Sequence, residues 1–166
     1  RYLTISPLPD RADPIALLIT GDPVNPVISC VEGYVQADGM LGADPVYQMP
    51  EVWATIDVRG DGIIPSATYC VQIDDGVSLS EAVEVTTWQW ADVNHDTYRN
   101  ITDVQLIDLG ITGQFLWASL PGLDLIGMQG ETCAPQRILN VTDLQLAALC
   151  VEGMAYEDLI CPDVCP

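Results

Sequence analysis

The chain has 166 residues and a formal net charge of −19, from 24 acidic residues against five basic ones. This charge repels nucleic-acid phosphates and anionic membrane surfaces, which excludes both as expected partners, whereas bound cations would relieve the self-repulsion. Because 49% of the residues are hydrophobic and 17% are charged, the composition predicts a packed core in one large domain or two small ones.

Residues 1–87 contain short segments rich in β-branched and aromatic residues, several of which alternate apolar with polar positions. Pro and Gly-Asp pairs separate the segments, as turns separate strands. The pattern predicts an all-β sandwich over this half. The predicted strands are RYLTISP, PIALLIT, VISCVEGYVQ, EVWATIDV, ATYCVQIDD and EAVEVTT.

The stretch PSATYCVQIDDGVSLSEAVEVTT, residues 65–87, resembles the last two strands of a fibronectin type III domain. In that family a tyrosine-bearing strand, a turn and a final strand rich in Val and Thr close the sandwich. The resemblance implies an immunoglobulin- or fibronectin-like β-sandwich for residues 1–87. Since a helical pattern follows, the expected fold class is mainly β plus α.

After residue 87 helical periodicity replaces the strand pattern, and the sequence repeats itself. NITDVQLIDL starts at position 100 and NVTDLQLAAL at position 140, and six of the ten positions are identical. Apolar residues recur at helical spacing in both copies, so each copy is expected to form a helix. Thr102 and Thr142 are the expected N-caps, and Asp103 and Asp143 fall in the first turn, where a carboxylate suits the helix dipole.

An oxygen-rich segment, DVNHDTYRNITD, spans residues 92–103 and leads into the first of these helices. Counted from residue 92, oxygen-bearing side chains stand at positions 1, 3, 5, 9 and 12, and a backbone carbonyl fills position 7. This is the ligand order of a calcium loop, in which the ion is surrounded by oxygen atoms. The predicted ligands are Asp92, Asn94, Asp96, the carbonyl of Tyr98, Asn100 and Asp103.

Two positions depart from the usual calcium loop. Thr97 occupies position 6, which usually holds glycine, and a left-handed turn there costs about 1 kcal/mol. Position 12 is Asp103, where glutamate is usual. The alternative interpretation is a solvated acidic turn that holds no ion.

The second copy has a weaker ligand set. In a twelve-residue loop that ends at Asp143, only Asn140 and Asp143 itself match the calcium ligand order. Positions 1, 3 and 5 hold no carboxylate, because they are Thr132, Ala134 and Gln136. A longer loop that starts at Asp124 would bring that carboxylate or Glu131 within reach. The second predicted site is therefore Asp124, Asn140 and Asp143. The alternative is a loop that has lost its ion and is closed by Cys133.

The ligand order, the helix directly after the loop and the duplication of the whole unit resemble the plan of dockerin modules. With TTWQWADV at one end and CPDVCP at the other, the pattern resembles repeats in large secreted proteins of planctomycete- or myxobacteria-like bacteria. The resemblance implies a dockerin-like pair of calcium-binding loop–helix units over residues 88–166. It also implies that a cohesin-like partner would dock at loop positions 10 and 11, which are Ile101, Thr102, Val141 and Thr142.

The chain contains six cysteines, namely Cys30, Cys70, Cys133, Cys150, Cys161 and Cys165. An even count, a single histidine and the absence of a C-x-x-C pair, the closest pair being C-x-x-x-C, favour disulfides over a zinc site, and therefore an extracellular location. Six cysteines allow fifteen pairings, and the sequence leaves them open. Because Cys30 and Cys70 both fall in predicted strands, a bridge between them is the first pairing expected.

The sequence contains no nucleophile elbow, phosphate loop or zinc-protease helix, so no enzyme activity is expected. No apolar run is long enough to span a membrane. The expected function is that of a non-catalytic structural module, stabilised by Ca²⁺, in a cell-surface or filamentous assembly. Its expected partners are further copies of itself or other extracellular proteins. The alternative is a docking module for a cohesin-like protein.

Overall fold

The structure is a computed structural model that describes residues 3–5, 12–22, 24–25, 28–115, 123–125 and 138–159. The chain divides into two compact units. We call Leu3–Ile63 with Ala67–Thr87 the β unit, and Ile64–Ser66 with Trp88–Pro162 the helical unit. The described residues contain antiparallel sheets and helices, so the expected mixture of β and α structure is confirmed.

The described part of the β unit holds seven strands and one short helix. Five strands form an antiparallel sheet in the order β4-β3-β2-β6-β7, and β1 pairs with β5 in a second, two-stranded sheet. The strands are β1 (Leu3–Thr4), β2 (Ala16–Gly21), β3 (Glu32–Val35), β4 (Leu41–Gly42), β5 (Asp57–Val58), β6 (Thr68–Asp74) and β7 (Val83–Thr86).

The central strand of the larger sheet is β2, which is buried at every position except Thr20. It lies between β3 and β6, and its run of consecutive apolar residues is typical of a strand that is covered on both faces. Leu17 and Ile19 on this strand are 1% and 0% exposed. The apolar segment PIALLIT therefore supplies the middle of the core of the β unit.

The predicted strand EVWATIDV is only partly a strand, which corrects the sequence-based expectation. Helix α1 covers Pro50–Trp53, and only Asp57–Val58 joins a sheet. Pro50 occupies the first turn of α1, where its fixed φ suits a helix and its missing N–H is not needed. Trp53 is buried, and its Nε1 donates to the carbonyl of Ile15 at 2.7 Å.

The helical unit contains the two repeated helices, α2 (Ile101–Ile111) and α3 (Val141–Val151), followed by a 3₁₀ turn at Tyr156–Asp158. The helices bury equivalent residues of the repeat, Leu106 with Ile107 and Leu146 with Ala147. The same core contains Trp90, Val93, Leu123, Leu125 and Cys150. The apolar residues that recur at helical spacing in both copies therefore pack into one shared core.

Gly110 lies where the packing in this core is tightest. A Cβ added at this position would lie 2.6 Å from Leu123 Cδ1 and 2.7 Å from Leu139 Cδ2. The 40-residue offset of the repeat places Cys150, a buried residue, at the equivalent position of α3. The glycine therefore gives room to two leucine side chains that are packed against α2.

None of the helices in the described residues is both long enough and apolar enough to cross a membrane.

Candidate calcium-binding loops

Asp92 organises the first loop from a buried position, with 4% of its surface exposed. Its Oδ1 accepts a hydrogen bond from the Asp96 amide at 3.0 Å, and its Oδ2 accepts one from the Thr97 amide at 2.9 Å. The backbone of residues 92–97 therefore folds back onto this one carboxylate.

Asn94 and Asp96 bend the same loop through hydrogen bonds between neighbours. Asn94 Oδ1 accepts from the Asp96 amide at 3.1 Å, and Asp96 Oδ1 accepts from the Tyr98 amide at 2.8 Å. In both cases a side-chain oxygen bonds to the amide two residues further on, which is an Asx turn. The oxygen-bearing side chains at loop positions 1, 3 and 5 are thus all tied to the backbone of the loop itself.

Two non-glycine residues in the loop adopt the left-handed conformation, His95 with φ 59° and Thr97 with φ 73°. The left-handed turn expected at position 6 is therefore present, although its residue is threonine, and each such residue costs about 1–2 kcal/mol. The His95 ring stacks on Trp88 at a centroid distance of 4.3 Å and an angle of 6°. Burial removes solvent from the imidazolium form and lowers the pKa of His95, while Asp92 acts in the opposite direction.

Asp103 connects the start of the loop to the start of α2, and it is 1% exposed. Its Oδ1 accepts from the Val93 amide at 2.8 Å, and its Oδ2 accepts from the Asn100 amide at 2.8 Å. Asn100 in turn accepts from the Thr102 amide at 2.8 Å. The N-cap of α2 is therefore Asn100, and the prediction of Thr102 was wrong by two residues.

The second copy of the repeat, around Asp143, has the same pattern of hydrogen bonds. Asp143, which is 0% exposed, accepts from the Leu125 amide at 2.9 Å and from the Asn140 amide at 2.9 Å. Asn140 accepts from the Thr142 amide at 2.8 Å and caps α3, so Thr142 is likewise not the N-cap. The same arrangement of carboxylate, loop and helix is thus built twice in the helical unit.

Asp124 takes the place in the second unit that Asp92 has in the first. Asp124 is 0% exposed, and it directly precedes Leu125, whose amide donates to Asp143. Its Oδ2 accepts from the Ile138 amide at 3.1 Å. The Asp124 carboxylate therefore lies close to Ile138, a few residues before Asn140 and Asp143, as a longer second loop would require. Glu131 and the residues found by counting back twelve, Thr132, Ala134 and Gln136, lie outside the described residues.

The donor chemistry of the first loop suits a hard cation. Its ligand atoms would all be oxygens, and each carboxylate oxygen that accepts one N–H keeps a further lone pair for an ion. Within the described residues, however, no three or more His, Cys, Asp or Glu side chains converge on a common point that could hold a metal. The candidate site therefore depends on amide and backbone oxygens as well as on carboxylates.

The four residues predicted to contact a partner lie at the starts of α2 and α3, and all four are exposed. Ile101 is 61% exposed and its counterpart Val141 is 59% exposed. Beside them, α2 and α3 line a groove of about 430 Å³. Its lining consists of three pairs of repeat-related residues, Val104 with Leu144, Gln105 with Gln145, and Asp108 with Ala148.

The predicted bridge between Cys30 and Cys70 was wrong. Cys30 is disulfide-bonded but Cys70 is a free thiol, which lies in β6 opposite Thr20 and Glu84. Cys150 is also free, and burial raises the pKa of its thiol to about 11. The remaining cysteines, Cys133, Cys161 and Cys165, lie outside the described residues.

Comparison with known proteins identifies no relative. No family model matches the chain, and no match was found among the curated proteins or among the solved structures.

Proposed function

We propose that this chain is a non-catalytic extracellular structural module whose helical unit is stabilised by Ca²⁺, and that it is a repeat or subunit of a cell-surface or filamentous assembly. The observation that carries the proposal is the duplicated unit in which a buried aspartate ties a loop to a helix start. The disulfide at Cys30 supports an extracellular location, because such bonds persist in oxidising compartments.

In the first loop the proposed ligands are Asp92, Asn94, Asp96, the Tyr98 carbonyl, Asn100 and Asp103. Four buried carboxylates, Asp92, Asp103, Asp124 and Asp143, lie in one unit of a strongly acidic chain. A bound cation would neutralise part of this charge and would favour the folded state, which alone arranges the ligands. The second proposed site, at Asp124, Asn140 and Asp143, has fewer oxygen-bearing side chains and should bind more weakly.

The β unit is proposed to be an immunoglobulin- or fibronectin-like sandwich. The strand order β4-β3-β2-β6-β7 with a separate β1–β5 pair is compatible with that plan. The hydroxyl of Tyr69, near the start of β6, donates to the Gly62 carbonyl at 2.7 Å. A tyrosine that bonds back to the backbone a few residues upstream is typical of this fold.

The test of calcium binding is a thermal melt of the whole chain with excess Ca²⁺ and with a chelator, together with isothermal titration calorimetry. Ca²⁺ at a thousandfold excess over Kd should stabilise the folded state by about 4 kcal/mol. Asp92→Asn should remove most of this gain, whereas Asp44→Asn, which neutralises an exposed aspartate of the β unit, should keep it. Equal melting temperatures with and without Ca²⁺, and no binding heat, would contradict the proposal.

The test of assembly is negative-stain electron microscopy of native material, first with Ca²⁺ and then after chelation. Filaments or regular arrays that loosen when Ca²⁺ is removed would support an assembly role. Dispersed single particles under both conditions would contradict it, whatever the calorimetry shows.

The exposure of Ile101 and Val141 favours a second candidate function, docking of a cohesin-like protein at the starts of α2 and α3. Both side chains occupy equivalent positions of the repeat, and each is followed by an exposed threonine. Replacement of Thr102 and Thr142 should abolish capture of a cohesin partner while leaving the melting temperature unchanged. Unchanged capture by the double variant, or no capture by the native chain, would count against docking.

A further inference from the structure

The helical unit contains a recess of about 180 Å³ whose lining differs from that of the groove between α2 and α3 and includes Arg99 of the first loop. Its walls include two aromatic rings and four polar side chains, from Ser66, Gln89, Trp90, Arg99, Tyr156 and Glu157. The volume is below the usual range for drug-sized ligands, so it suits a small molecule.

Arg99 is the main polar group of this recess. It is half-buried, and it forms no hydrogen bond or ion pair with any residue that the structure describes. This is unexpected in a chain whose 24 acidic residues outnumber its five basic ones. A guanidinium group carries five N–H donors in a planar fork, and here they are available to a ligand.

Two further polar side chains of the recess are also available. Neither the Gln89 amide nor the Ser66 hydroxyl hydrogen-bonds to another residue in the described ranges. Ser66 has φ 55°, a left-handed conformation that is uncommon outside glycine, and its amide donates to the Trp88 carbonyl at 3.2 Å. Strained backbone of this kind concentrates at binding sites.

The aromatic walls are fixed in position. The Trp90 indole is 3% exposed, and its Nε1 donates to the Leu125 carbonyl at 3.3 Å. The Tyr156 ring packs edge-on against it, with centroids 5.8 Å apart and an angle of 69°. The recess is therefore bounded by rings whose positions are set by the core of the helical unit.

We propose that this recess binds a small hydroxylated monocarboxylate, such as a sugar acid, through Arg99. A guanidinium group pairs with a carboxylate through two parallel hydrogen bonds, and Gln89 and Ser66 would donate to the remaining oxygens. Glu157 would accept from a ligand hydroxyl, and its charge would oppose a second carboxylate on the ligand. The apolar ring of Tyr156, which is half-buried, suits the carbon skeleton of such a molecule.

The test is titration of the full chain with D-galacturonate, its neutral methyl ester and L-lactate, followed by calorimetry or NMR. Galacturonate should bind saturably, and the ester should bind at least about tenfold more weakly because it cannot pair with the guanidinium. Arg99→Gln should weaken galacturonate binding by a similar factor. Arg59→Gln, which removes a guanidinium of the β unit that donates to the Asp38 carbonyl, should leave binding unchanged.

The titrations are performed with a chelator and again with excess Ca²⁺, because Arg99 lies within the proposed calcium loop and sugar acids bind Ca²⁺ themselves. Binding that needs Ca²⁺ and is lost in Asp92→Asn but not in Arg99→Gln would overturn the proposal. Absence of saturable binding, or equal affinity for the acid and its ester, would overturn it as well. Lactate binding as tight as that of galacturonate would support the carboxylate recess and identify free hydroxy acids as its ligands.

Discussion

Replacement of Asp143 by alanine should destabilise the helical unit strongly, even in the absence of Ca²⁺. The substitution removes the acceptors of two backbone amides, those of Leu125 and Asn140, each at 2.9 Å from a carboxylate that is 0% exposed. Each buried donor left without a partner costs about 1–3 kcal/mol. Because alanine has a higher helix propensity than aspartate, the substitution also stabilises α3 by roughly 0.5 kcal/mol. The expected net loss is therefore about 1.5–5.5 kcal/mol.

The assay is urea unfolding with a chelator present, followed by circular dichroism at 222 nm. Asp108→Ala is the matched control, because Asp108 is exposed on α2 and the repeat itself places alanine at the equivalent position, Ala148. This control should change the free energy of unfolding by no more than about 0.5 kcal/mol. A loss of less than about 1 kcal/mol for Asp143→Ala would refute the reasoning, since the carboxylate would then not be what holds the loop to the helix.

Three further changes test the packing and the protonation of the core. Gly110→Ala should destabilise the helical unit by about 1–2 kcal/mol in the same assay, because the new methyl group would overlap two leucine side chains and outweigh the gain in helix propensity. Tyr69→Phe should cost the β unit about 1 kcal/mol of unfolding free energy through the lost hydrogen bond at 2.7 Å; an unchanged unfolding midpoint would mean that the bond is not formed. The pKa of Cys150 is raised from 9.0 to about 11, so the native state keeps a proton that the unfolded state releases. Stability should therefore be complete below pH 9 and fall by about 2 kcal/mol as the pH rises to 11; Cys150→Ala should flatten this part of the profile.

The helices were predictable because periodicity and the repeat coincide. Apolar residues recur at helical spacing, and both copies start with the same polar residues, so the two helices follow from the sequence alone. The exact caps did not follow. Asn100 and Thr102 are both good capping residues, and only the hydrogen bond from the Thr102 amide to the Asn100 side chain decides between them.

The length of the second loop and the cysteine pairing followed less directly from the sequence, for a different reason. Counting back twelve residues assumed a fixed loop length, whereas Asp124 stands nineteen residues before Asp143, and no local signal gives that number. Whether Cys30 and Cys70 could face each other depends on where their segments lie in the sheet: Cys70 lies in β6, whereas Cys30 lies in the turn before β3. Register of this kind is set by contacts between distant parts of the chain.

In both copies of the repeat, a buried aspartate ties the start of the loop to the start of the helix, so the number of loop residues between these two points can vary. Five residues separate Asp92 from Tyr98, whereas thirteen separate Asp124 from Ile138, yet the bonds at the two ends correspond. Closing the longer segment costs only about 0.8 kcal/mol more in chain entropy. A foreign peptide of about eight residues inserted within 93–97 should therefore leave α2 folded. The same tolerance offers a route by which one copy of such a unit can acquire new surface chemistry while the other keeps its original loop.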